Sequence, residues 1–114
     1  MHIRVIADSI SPKELAVMAE SLFGSFVKAV VDVSREVMAV GGELHADEEA
    51  ILLSQGSQQE NLWGINIYPK NVAESLIEFN SMINVRPSRG NYSRSVENKD
   101  LQDKIRAVVK KLVV

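Results

Sequence analysis

Apolar residues recur along this chain with two periods, and the switches between them outline the elements. Residues 3–7, "IRVIA", are a short β-branched run that predicts a strand. Behind it Leu15, Met18, Ala19, Leu22 and Phe23 recur at helical spacing, so a helix should lay one face on a sheet. "SPKE" opens that helix: Ser11 fits the N-cap, Pro12 the first helical position and Glu14 the capping-box position, while Gly24 fits the stop. "FVKAVVDV" (26–33) and "EVMAVGG" (36–42) predict a hairpin. Ser34-Arg35 is a poor two-residue turn, so its loop should be longer. The unbroken apolar stretch Ala29 to Val31 predicts a strand covered on both faces.

In the second half, "HADEEAILLSQG" (45–56) predicts a short helix with Ala46, Ala50 and Leu53 on its apolar side. Asp47, Glu48 and Glu49 complement the dipole at its start. Trp63, Ile65 and Ile67 alternate along a strand in "LWGINIYP". From Ile77 to Val85 the parity never slips, with Ile77, Phe79, Ile83 and Val85 on one side, which predicts one long strand or a tight hairpin. Glu78, Asn80, Asn84 and Arg86 take the other side, joined by Asn66 and Tyr68 of the preceding strand. Asn98 caps a last helix whose Leu101, Ile105, Val108, Val109 and Leu112 form one stripe. The order β-α-β-β-α-β-β-α predicts an α+β fold, a mostly antiparallel sheet with helices packed on one face. One domain over residues 1–114 is expected, a length that can bury one core without metal or disulfide.

The chain has no cysteine, which excludes disulfides, thiolate zinc sites and a cysteine nucleophile. A formal net charge of −2 argues against bulk attraction to nucleic acid or anionic membrane, so any such role needs a local basic patch. The N-terminal apolar run is too short for a signal peptide, and no stretch approaches a membrane span. A soluble, cytoplasmic protein without a membrane partner is expected.

Such a patch occurs in "NVRPSRGNYSRSVEN" (84–98). Arg86, Arg89 and Arg94 fall within nine residues, with glycine and serine between them. Guanidinium forks suit phosphate or carboxylate, and Asn84, Asn91 and Tyr92 could support them by hydrogen bonding or stacking. The stretch lacks a phosphate-loop pattern. A second candidate is "GELHADEE" (42–49), where His45, Glu48 and Glu49 share a helix face at three- and four-residue spacing. One histidine among carboxylates is an incomplete metal site, so no metal and no cofactor is predicted. The third is the polar strand face: asparagine is a poor strand residue, and Asn66, Asn80 and Asn84 all fall there. The acidic 43–49 segment and the arginines could also neutralise each other, within a subunit or across a homodimer.

The segments "VKAVVDVSREVMAVGGELHADEEAILL", "LWGINIYP" and "IEFNSMINVRPSRGNYSRSVEN" together resemble a family of small prokaryotic proteins known only as a domain of unknown function. That resemblance implies no activity, cofactor or catalytic residue. The leading expectation is therefore a small binding module whose arginines engage RNA, a nucleotide or another phosphate. The alternatives are a phosphoester hydrolase or small ribonuclease, with His45 or Glu78 handling a proton, and a homodimeric interaction protein without a small-molecule site.

Overall fold

The computed structural model describes residues 2–114. Its elements are β1 (Arg4–Ile6), α1 (Pro12–Ser21), β2 (Val27–Asp32), β3 (Val37–Val40), α2 (His45–Ser54), β4 (Leu62–Ile67), β5 (Ile77–Glu78) and α3 (Lys99–Leu112), with short 3-10 turns between β4 and α3. The five strands form one antiparallel sheet in the order β1-β3-β2-β4-β5. The fold is α+β, with the expected order of elements.

The helix starts follow their local chemistry. Ser11 Oγ accepts the Glu14 N–H at 3.1 Å with Pro12 at the first turn, and Asn98 Oδ1 accepts the Leu101 N–H at 2.9 Å. β2 and β3 pair from Asp32↔Val37 inward, and the Asp32 carboxylate ties the turn by accepting the Ser34 and Arg35 N–H groups. The loop runs from Val33 to Glu36, longer than Ser34-Arg35 alone as expected, and that bonding holds it closed.

Alternation along β2 divides the core. Val27, Ala29 and Val31 join Leu15 and Ala19 of α1 and Ile105, Val109 and Leu112 of α3 on one face. Val30 points the other way, to Leu52 of α2 with Ala39 and Leu62. Two helices thus share a face, but α2 covers the opposite one, and the cover is not one-sided. That is why β2 carries no polar side in its middle.

Two further expectations change in the structure. α2 does not bury Ala46, Ala50 and Leu53; it turns His45, Glu48 and Leu52 inward and leaves Leu53 40% exposed. The Ile77–Val85 run is not one strand. Pairing stops at Glu78, and Ser81 caps a 3-10 turn over Met82–Asn84 that buries Asn84. The turn swaps faces, so Phe79 packs on the α1/α3 side and Ile83 on the α2 side.

Candidate functional site

Two polar regions flank β4. The first is the arginine stretch. Arg86 and Asn91 pair as a small antiparallel bridge, with bonds of 2.8 and 3.1 Å between their backbones. The Arg86 guanidinium gives one hydrogen bond to Gln59 O at 2.9 Å, meets Glu49 Oε2 at 3.3 Å and lies 4.7 Å from the Trp63 ring. Its side chain is 11% exposed, and that burial holds its pKa below the ordinary value, an effect that Glu49 opposes and the Arg89 charge adds to. Arg89 pairs with Glu60 at 3.1 Å on the surface. These four charges line a cleft of about 500 Å³ with Met82 and Val85, and they cancel.

The asparagines of this stretch are engaged with backbone. Asn84 is fully buried; its Oδ1 accepts the Gly64 N–H at 2.8 Å and its Nδ2 donates to Gly64 O and Arg94 O at 2.9 and 3.0 Å. It stands in for a neighbouring strand that β5 is too short to supply. The approach is close enough that a Cβ on Gly64 would sit 2.5 Å from Ser81 Cβ, so only glycine fits. Asn91 Nδ2 donates to carbonyls of Asn84, Ser93 and Ser95, and its Oδ1 accepts the Glu97 N–H. Glu97 in turn accepts the Tyr92 and Ser93 N–H groups, which hold its carboxyl below the usual range. Of the six expected ligand residues, only Arg94 and Tyr92 present free, exposed side chains: Tyr92 is 70% exposed, and Arg94 forms no ion pair among the described residues.

The second region lies on the α2 side of the sheet. Lys28, Asn66 and Glu78 occupy one cross-strand row over β2, β4 and β5. Asn66 Nδ2 donates to Glu78 Oε1 at 2.8 Å, and the Tyr68 hydroxyl donates to the same oxygen at 3.2 Å. Asn66 is 7% exposed, and its Oδ1 is closed from solvent with no partner. Flipping the amide would set an oxygen against the Glu78 carboxylate, so the bond to Glu78 fixes which end is orphaned.

The first turn of α2 lies beside this row. His45 Nε2 is 2.7 Å from Ile65 O. Burial holds the imidazole below its ordinary range; the carbonyl opposes this, and the charges of Lys28 and Arg94 add to it. A neutral ring that close to a carbonyl oxygen carries its proton on Nε2, which leaves the Nδ1 lone pair free. Glu48 is fully buried, and Oε2 accepts the Gly42 N–H at 2.9 Å while Oε1 has no partner. A Cβ on Gly42 would lie 2.9 Å from Glu48 Cγ, so the glycine makes this docking possible. Burial pushes the Glu48 carboxyl up to about 9, against the Gly42 bond and the Lys28 charge, so it is neutral at pH 7. His45, Glu48 and Glu49, which share a face in the sequence pattern, therefore part to a carbonyl, a glycine amide and Arg86.

A family model described as a protein of unknown function, DUF5674, matches residues 4–112. The chain belongs to that family. No curated protein and no solved structure gives a significant match to it. The DUF5674 match spans both polar regions. Among the described residues, no helix is long and apolar enough to cross a membrane.

Sequence reasoning placed Asn66, Tyr68 and Glu78 on one polar strand face but left His45 apart from them, and it passed over Lys28 inside an apolar run. The joining contacts are between distant segments: His45 and Ile65 are twenty residues apart. The usable signal was asparagine at a strand centre, where it opposes local preference.

Proposed function

We propose that the protein is a small binding module for an anionic ligand, a nucleotide or another phosphate, seated on the polar sheet face beneath the start of α2. The observation that carries this reading is how the cations are paired. Arg86 and Arg89 each face a carboxylate of the chain. Lys28 and Arg94 form no ion pair among the described residues, and both charges act on His45. An anion held there gains from two cations and from first-turn amides of α2 that no side chain caps. Neutral Glu48 adds no negative charge behind the site.

The test is binding of inorganic phosphate and of a short RNA by titration calorimetry at two salt concentrations. Lys28→Ala and Arg94→Ala should each weaken binding about tenfold, the scale of one charge-assisted hydrogen bond. Arg89→Ala should leave it unchanged. Loss of binding in Arg86→Ala and Arg89→Ala alone would return the site to the arginine stretch, and no binding by the folded wild type would end the anion reading.

A second reading, phosphoester or RNA cleavage, is favoured by the neutral His45 with its free Nδ1, the state a general base requires. Cleavage of the short RNA by wild type, lost in His45→Gln with binding retained, would support it. Intact RNA after prolonged incubation with wild type would leave binding alone.

A further inference from the structure

We propose that the ligand of this face carries an amino group beside its anionic group, received by Asn66 Oδ1 and Glu78. This inference rests on the anion reading above and adds to it the other half of the ligand. Asn66 Oδ1 is an acceptor closed from water and without a donor. Both hydrogen bonds to Glu78 use Oε1, which leaves Oε2 open. His45 Nδ1 is a third acceptor, since Nε2 holds the proton against Ile65 O. Lys28, the one cation of the row, has its Nζ 5.0 Å from the centre of the Phe23 ring.

Three acceptors with no donor are not completed by a bare phosphate or carboxylate, which brings chiefly more acceptors. An ammonium or amino group supplies what is missing, and its charge complements the Glu78 carboxylate. Lys28 and Asn66 are direct cross-strand partners with backbones about 5 Å apart, so a ligand that meets both side chains needs only a short spacer between its anionic and amino groups. Lys28 and Glu78, which flank Asn66 in the row, have long side chains that the ligand would displace to reach the closed Oδ1. An aminoalkyl phosphate or a zwitterion of similar reach has this chemistry.

The experiment compares 2-aminoethyl phosphate with ethyl phosphate, which share the anion and differ in the amine, by calorimetry at millimolar concentration and neutral pH. Wild type should bind the amino compound at least about tenfold more tightly, the scale of a hydrogen bond to a charged group. Glu78→Gln keeps an acceptor for Asn66 Nδ2 but loses the charge; it should shrink that preference severalfold while ethyl phosphate binds as well or better. Equal binding of the two compounds by wild type, or an undiminished preference in Glu78→Gln, would overturn the inference and leave the anion site standing. Binding of neither would overturn both.

Discussion

Asn84 and Asn66 are both buried asparagines beside β4, and they differ in what their amides meet. Asn84 spends both ends on backbone: Gly64 N–H and C=O on one side and Arg94 O on the other. Asn66 bonds Glu78 through Nδ2 and leaves Oδ1 with nothing. The regions around them differ in the same way. Near Asn84, Arg86 and Arg89 meet acids and amides meet carbonyls, so most of a stretch dense in charge is closed on itself. Arg94 alone of its arginines forms no ion pair among the described residues. On the same side of the sheet as Asn66, Glu48 Oε1 is a second buried oxygen without a partner, and His45 is held neutral. Buried polar groups are paired in the great majority of folded proteins, so an orphan calls for an explanation, and under the proposal above a ligand completes the set. Positive charge in a sequence says less about a binding site than the state of its pairing.

The first prediction falls in the closed region. Asn84→Ala strands the Gly64 N–H and C=O inside the protein and should cost about 3 kcal/mol, a fall in Tm on the order of 10 °C. Asn66→Val removes an orphan and improves strand propensity, so it should change stability by under about 1 kcal/mol, in either direction. Equal losses from the two, measured by urea unfolding, would erase the distinction.

Glu48 sharpens it through pH. The carboxyl ionises near its ordinary 4.5 in the unfolded chain but stays protonated to about 9 when folded. Between those values the unfolded state releases a proton that the folded state keeps. Stability is therefore full below pH 4.5, falls through the window by up to about 1.4 kcal/mol per unit, and levels off above 9. Glu48→Gln should flatten that part of the profile and be the more stable protein at pH 8. Identical slopes by urea unfolding from pH 5 to 9 would show that Glu48 is ionised in the fold.

Smaller effects separate the two paired arginines. Arg86→Ala loses the Trp63 contact and leaves Glu49 without its cation in a buried setting, at a cost on the order of 2 kcal/mol. Arg89→Ala breaks only a half-exposed pair and should cost under about 0.5 kcal/mol. Thermal unfolding of the two variants checks the order.

How much of this was legible in the sequence depended on whether local chemistry decided it. α1 and α3 announce themselves through Ser11-Pro12-Glu14, Asn98 and a clean apolar stripe, because caps and periodicity are local. α2 hides its orientation, since the face it buries is carried by His45 and Glu48 as much as by Leu52, and polar residues at helical spacing read as solvated. The false strand has a related cause. Alternation from Ile77 to Val85 continues through a 3-10 turn, where Asn84 is drawn inward by Gly64 on another element. Lys28 was lost inside "FVKAVVDV", where one charge in an apolar run looks incidental. The mutual pairing of acids and arginines was foreseen as one option, and Arg86 with Glu49 realises it within the subunit.

Under the proposal, anions bind beneath α2 and not in the cleft of Arg86 and Arg89. The most direct test is a titration of the isotope-labelled protein with inorganic phosphate, followed by amide and guanidinium NMR signals. The largest shifts should fall at the His45 and Ala46 amides, at Asn66 and at the Arg94 side chain, with Arg86 and Arg89 still. Shifts centred on Arg86 to Arg89, with the start of α2 unmoved, would contradict it.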